Sequence, residues 1–293
     1  MALRNITKEN FVFDFDNILQ TFNPEKKWNL SEAHPSMNND LRLSAKRQTL
    51  AIRSRKIIKG DRRSLGLPQI CESPTNSTDM IVRQESPWDT YRRIGVLEIG
   101  GQVIIAVDLS RSSRMRTFRE YARADTEQLL HYFRNSDNPN ILCAQECYLD
   151  QSSMYALVDH LPLTLNDLVR CRSLYPTEAE LASIISQLLN GLCYLKAIGL
   201  THRFLTCGEI LLGYDGTIKV GCPELCEACD PRQSDLTYSN LLPSIVMCLM
   251  QKYEKKNGTI GVDDVELWPV GSNAFEFLSA ASSTISVDEL KIV

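Results

Sequence analysis

Near its start the chain has no apolar run long enough for a signal h-region or a membrane span, and Met1 to Phe15 already carries Arg4, Lys8, Glu9 and Asp14. This argues against secretion and membrane insertion, so the expected location is cytoplasmic or nuclear. Paired cysteines are also missing. The 10 Cys fall at irregular spacings in a chain of 293 residues, too long to need disulfide staples, and read as reduced thiols. Cys222, Cys226 and Cys229 form one C-x3-C-x2-C group with Cys207 as a conceivable fourth ligand. Zinc sites show two paired knuckles and one is present here, so no metal is expected.

With 43% hydrophobic and 23% charged residues, the chain can bury one sizeable core of two lobes. Charge is unevenly divided. Residues 1–87 hold 14 Lys+Arg against 10 Asp+Glu, and residues 88–293 hold 18 against 26. Residues 1–87 read as a mostly disordered basic arm, because SEAHPSMNND and CESPTNSTDM sustain no helical or strand period. Within the arm, FVFDFDNILQTF is either a transient aromatic cluster or a short docking segment. Leu41 to Arg63 holds nine Lys or Arg and reads as a nuclear-import signal, a ligand for an acidic surface or a solvated linker. Ser64, after two Arg, fits a basophilic kinase target.

The stretch THRFLTCGEILLGYDGTIKVGCPE, Thr201 to Glu224, organises the rest. Ile210 to Leu212 and Ile218 to Val220 are short apolar strands, and Asp215-Gly216 is a strong hairpin turn between them. His202, Arg203 and Leu205, followed by this hairpin, resemble the catalytic loop H-R-D-L-x-x-x-x-N and the lead into D-F-G of the serine/threonine protein kinases. ILLGYDGTIKV is closest to the Rho-GTPase-activated branch. The resemblance puts Phe204 where the catalytic base stands, Thr206 at the loop Lys, Glu209 at the metal-binding Asn, and Cys222-Pro223-Glu224 at D-F-G. It also implies that His202 is a packing residue. A degenerate member, a pseudokinase, is the expectation.

From Trp88 the pattern reads as strands around the Gly100-Gly101 turn, with an apolar strand Val103 to Val107. Ile94-Gly95 resembles the opening of the family's Gly-rich loop, but G-x-G-x-x-G is missing, so backbone N–H groups that would cradle phosphate are not supplied. Ile105-Ala106-Val107-Asp108 is similar to V-A-I-K and puts Asp108 at the Lys. A unit-charge contact at about 4 Å and an effective dielectric near 20 is on the order of 4 kcal/mol. Reversing that charge would weaken Mg-ATP binding severely, whereas a slip of one residue in register would send Asp108 out of the cleft. Thr117 to Arg134 is expected to be the small-lobe helix, with Glu127 as its carboxylate. Asn138-Pro139-Asn140-Ile141-Leu142 resembles H-P-N-I-V, and Tyr155 to His160 the strand into the hinge. The resemblance leaves a vestigial cofactor pocket of Ile94, Gly95, Ala106, Val158 and Asp159.

In the large lobe, Leu161 to Val169 is expected as its first helix, and Thr177 to Ile198 as the buried one, capped by Thr177 and Glu180. Ser234-Asp235 would open the central helix, with Pro243 kinking it or delaying its start. Trp268 to Ala280 and Ser286 to Leu290 would close the fold, the latter under a Ser-x-x-Glu cap. No A-P-E follows Glu224, and the chain leaves no room for a full activation segment.

The expected fold is α+β, a two-lobed kinase-like domain with a small antiparallel-sheet lobe at 88–160 and a helical lobe at 161–293, truncated after 224. The expected role is a catalytically inactive interaction module with a protein partner, an active kinase or its substrate, and neither a specific nucleic acid nor a bound cofactor. The rival is an unconventional phosphotransferase using ATP with Mg or Mn held by Glu209, Glu224 or Asp108. A decayed or mis-spliced gene product is the third reading.

Overall fold

The computed structural model describes residues 80–110, 115–255, 258–283 and 286–291. FVFDFDNILQTF, the basic run Leu41 to Arg63 and Ser64 lie outside them.

The small lobe is a six-stranded sheet. Its strands are β1 (Ile81–Arg83), β2 (Tyr91–Glu98), β3 (Gln102–Asp108), β4 (Met115–Ala122), β5 (Ala144–Leu149) and β6 (Ser153–Val158), arranged β1-β5-β6-β4-β3-β2. All neighbours are antiparallel except β1, which pairs parallel to β5, Ile81 opposite Glu146. The sheet therefore takes in Ile81–Arg83, upstream of the boundary expected at residue 88.

Two sequence expectations are overturned. Counted from the β2 edge, the strand carrying Asp108 is second in the sheet. The third strand is β4, inside the segment expected to be a helix from Thr117, and helix α1 is confined to Thr126–Asn135. The side chains of β4 explain the difference. Tyr121 packs into the main core and Thr117 and Arg119 also bond toward the lobe interface, while Phe118 packs outward with Tyr91, Ile104, Ala106, Tyr148, Tyr155 and Leu157. That alternation has period two, as a strand requires. The outward cluster is a separate aromatic core of edge-to-face pairs, Trp88 with Phe118 at 5.6 Å and Tyr155 at 5.2 Å.

Asn138 to Leu142 ties this lobe to the next. Asn140 Nδ2 donates to Ile218 O at 2.9 Å, its Oδ1 accepts from Asn190 Nδ2 at 2.9 Å, and its backbone O accepts from Val220 N at 2.9 Å. Gly191 lets the turn approach, since a Cβ there would lie 2.7 Å from Asn140 O.

In the large lobe, β7 (Leu163–Thr164) leads into the short α2 (Leu165–Arg170), so the expected helix at Leu161 starts late, at a Thr164–Asp167 capping box. Helix α3 (Glu178–Ala197) is capped by Thr177 and Glu180 as expected and ends at Gly199, φ +74°. Its Leu181, Ile184, Leu188, Leu192 and Leu195 lie in the main core. Strands β8 (Leu200–His202), β9 (Ile210–Leu212), β10 (Ile218–Val220) and β11 (Cys226–Ala228) follow, with β9 and β10 joined at Asp215-Gly216.

Helix α4 (Pro231–Gln251) begins three residues after β11 and runs through Pro243 without interruption or delay. Trp268 precedes rather than belongs to α5 (Asn273–Ser283), and its Nε1 donates to Met250 O at 2.8 Å. Before α6 (Val287–Leu290), the Ser286 side chain makes no cap. Asp235 instead accepts from Val287 N at 3.2 Å, which anchors that helix.

Candidate functional site

Between the lobes sits the β2–β3 hairpin turn, Ile99 to Gly101. Ile99 is only 3% exposed and belongs to the main core with Leu211. Gly100, φ +53°, rests against the loop below, since a Cβ there would lie 2.9 Å from Gly208 O and 3.0 Å from Leu211 Cδ2. Three contacts fix the turn. Arg119 Nη2 donates to Ile99 O at 2.7 Å, Arg119 Nη1 donates to Gly100 O at 2.5 Å, and Cys222 Sγ donates to Gly100 O at 3.2 Å.

Arg119 was not foreseen. It occupies the interface side of the third strand, the place assigned in sequence to Asp108, and its guanidinium is satisfied by backbone carbonyls twenty residues earlier. Asp108 lies at the opposite end of the hairpin from the turn, opposite Tyr91, and accepts from Ser110 N and Oγ at 2.8 and 2.6 Å. Ala106 faces the outer aromatic cluster, so it leaves the expected pocket as well. The signal that could have found Arg119 is the alternation Thr117, Arg119, Tyr121.

The remaining pocket residues divide. Gly95 follows a bulge in β2, after the partly exposed Ile94, and Val158 is in the main core. Asp159 pairs with Lys219 Nζ at 2.8 Å and accepts from Gln145 Nε2 at 2.9 Å, which holds the hinge to β10. Next to it, His160 Nδ1 meets Thr117 Oγ1 at 3.0 Å, and burial lowers the His160 pKa. Glu127 is exposed in the first turn of α1. The neighbouring Gln128 docks the helix, donating to Cys226 O at 2.5 Å.

In the loop, Phe204 is 61% exposed beneath Arg203, whose guanidinium lies 5.4 Å from the ring centroid. Glu209 Oε2 accepts from Thr206 N at 2.8 Å and Thr206 Oγ1 at 2.7 Å, so its carboxylate closes its own turn. His202 is wholly buried and its pKa falls to about 4, chiefly through desolvation. Cys222 adopts φ +52°, and burial, with Glu224 adding, pushes its thiol up to about 12. Burial raises the Glu224 carboxyl too.

Helix α4 supports this loop through unexpected groups. Tyr238 Oη accepts from His202 N at 3.1 Å, and Ser234 Oγ bonds Thr201 Oγ1. Asp235 turns instead to Lys196 Nζ at 2.7 Å, which also meets Asp288 at 2.7 Å. Among the described residues no group of three or more His, Cys, Asp or Glu is placed to hold a metal, and no helix is long and apolar enough to cross a membrane.

These elements, two lobes joined at Asn138 to Leu142 with a His-Arg loop beneath the cleft, define a protein-kinase fold. A model of the protein tyrosine and serine/threonine kinase family matches residues 102–249, and the chain belongs to this family. The chain is similar to the serine/threonine-protein kinase Tao of Drosophila melanogaster, 29% identical over 91 residues, covering 31% of this chain and 9% of that protein. It is also similar to the serine/threonine-protein kinase TAO3 of Homo sapiens, 23% identical over 175 residues, covering 59% and 18%. For TAO2 of Rattus norvegicus the identity is 23% over 149 residues, covering 50% and 11%. The chain thus spans less than a fifth of the length of each of these relatives.

Proposed function

We propose that this domain binds no nucleotide and transfers no phosphoryl group, and serves as a regulatory or scaffolding module that engages other proteins. One observation carries the reading: the turn Ile99 to Gly101 lies in the interlobe cleft, held by Arg119 and Cys222 and seated on Gly208 and Leu211. The backbone that would have to lie over a triphosphate is pinned instead, with Ile99 buried in the core and Gly100 against the loop below. A phosphoryl-transfer site works by positioning and neutralising charge, and needs cations and metal ligands free to meet the phosphates. Here the strand cation donates to two backbone carbonyls, and Glu209 is spent on Thr206.

The loss of a general base alone costs about 10²- to 10⁴-fold in rate. Phe204 offers no proton acceptor, and nothing in the loop substitutes for one. The reading of Glu209, Glu224 or Asp108 as alternative metal ligands loses support with Glu209 committed locally and Asp108 at the far end of its hairpin. The partner it would engage is an active kinase or a substrate of one.

The test is a thermal-unfolding scan of the full chain with millimolar ATP or ADP, each with and without Mg²⁺ or Mn²⁺. The expected outcome is one cooperative transition that no nucleotide moves. A ligand at about 100 times its Kd adds about 2.7 kcal/mol, several degrees for a domain of this size. A metal-dependent rise of that kind would sink the proposal.

A further inference from the structure

Away from the cleft, a cavity of about 400 Å³ opens between α2, the loop at Leu205 to Cys207 and α4. Val169, Leu205, Leu241, Ile245 and Cys248 supply its apolar lining, and Tyr253 and Glu254 stand where the chain leaves α4. Only Cys229 and Asp230 separate β11 from α4, the helix beside which the cavity opens.

Its chemistry is specific in two respects. Thr206 is already spent on Glu209, and beside Asn166 and Ser244 the lining is made of Val169, Leu205, Leu241 and Ile245, which favours a hydrocarbon side chain. Glu254 is in no ion pair among the described residues, and it lies in a lobe of 10 Lys+Arg against 16 Asp+Glu for residues 161–293. Its Oε1 accepts from Cys248 Sγ at 3.8 Å, and a carboxylate with no cation partner beside an apolar floor complements a cation next to that hydrocarbon.

Further apolar side chains are exposed on the loop that Tyr253 touches. Tyr253, half exposed, bonds through its hydroxyl to Asp263, which Lys255 Nζ meets at 2.6 Å. The loop that begins at this contact exposes Val265, Leu267 and Val270. It is held in shape by Asp264 Oδ1, which accepts from Glu266 N and Leu267 N at 3.1 and 2.9 Å, and by the buried Trp268. A preorganised apolar surface of this extent suits a polypeptide rather than a small molecule.

The geometry points to a docking pocket for a protein segment that inserts a leucine-like side chain among Val169, Leu205, Leu241 and Ile245 and sets a flanking Arg or Lys against Glu254. This rests on the interaction-module reading and names the chemistry of the partner.

The experiment is methyl-detected NMR of the full chain titrated with a synthetic peptide, acetyl-Gly-Ser-Arg-Leu-Arg-Ser-Gly-amide, and with versions carrying Leu→Ala or both Arg→Glu. Saturable shifts confined to the methyls of Val169, Leu205, Leu241 and Ile245 are expected, abolished by Leu→Ala. Glu254→Gln, a surface change that leaves the fold intact, is expected to weaken binding about threefold to fivefold, as an exposed charge contact would. Ser244→Trp, which fills the cavity, is expected to abolish the shifts while preserving the unfolding transition. The inference is overturned if no methyl saturates at millimolar peptide, if the Leu→Ala or Arg→Glu peptide binds as well, or if Glu254→Gln leaves affinity unchanged. None of these outcomes depends on nucleotide, so this pocket can fail while the closed cleft stands, and a nucleotide shift can sink that reading without touching this one.

Discussion

The framework beneath the cleft and the groups that face it have parted company in this chain. In the framework, α3, the β9–β10 hairpin and the Asn138 to Leu142 turn keep a dense apolar core and a saturated hydrogen-bond set. Asn140 alone reaches Ile218, Asn190 and Val220. At the cleft the side chains are present but point their polar atoms at their own backbone: Arg119 at Ile99 and Gly100, Glu209 at Thr206, Cys222 at Gly100. A fold survives replacement of its chemistry when each replaced group finds an internal partner, because a buried polar atom left unpaired costs about 1–3 kcal/mol. On the proposed reading, that is how the fold outlasts the chemistry.

If the framework carries the stability, the largest loss comes from cutting it. Leu188→Ala in α3, a fully buried site, is expected to cost about 2–5 kcal/mol by transfer and cavity terms, read as a lower denaturant midpoint at constant slope. A loss under about 1 kcal/mol would mean that the helix is not the keystone of the comparison. Acid should find the next weak point. His202 has a folded pKa near 4 against an ordinary 6.5, so the unfolded chain binds more protons between those values. Its contribution is complete above about pH 6.5 and falls as pH drops toward 4, by about 3 kcal/mol from the 2.5-unit gap. His160, also lowered by burial, acts in the same direction. Urea unfolding from pH 7.5 to 4.5 measures this, and a His202→Gln variant with the same pH slope would assign the effect elsewhere.

Arg119→Met isolates the clamp on the turn. Removing two charge-assisted bonds to carbonyls should cost about 1.5–3 kcal/mol, and should raise amide hydrogen exchange at Gly100 and Gly101 while leaving α3 unchanged. Equal protection at the turn in the variant would show that Ile99 packing, not Arg119, holds the cleft shut.

Much of the framework was legible in the chain. The leucine stripe with its Thr177–Glu180 box gave α3, and Asp215-Gly216 gave the hairpin, because both are local rules of spacing and turn chemistry. Strand β4 reads as helix in the sequence because Phe118, Tyr121 and Ala122 also fit helical spacing, and a strand buried on both faces hides its alternation. That reading places Asp108 in the cleft. The closed turn was beyond reach for a different reason, since Ile99 and Gly100 meet Arg119, Cys222 and Leu211 across long sequence separations that no local pattern encodes. The catalytic loop sat between these cases. Its register exposed the substitutions Phe204 and Glu209, but not that Glu209 would fold back on Thr206.

The smallest effect is the most discriminating. Phe204 stands at the position of the family's base, is 61% exposed, and touches chiefly the equally exposed Arg203. Phe204→Asp should therefore change stability by no more than about 0.5 kcal/mol, the usual range for a surface site. It restores a carboxylate in the loop without opening the turn above it, so a nucleotide thermal scan should stay flat and phosphotransfer from ATP should remain absent. The same substitution combined with Arg119→Met removes the clamp as well. If the double variant alone gains a metal-dependent nucleotide shift, closure of the cleft is what silences the site. If the single variant gains it, the loop was the only deficit, and the turn at Gly100 yields to ligand.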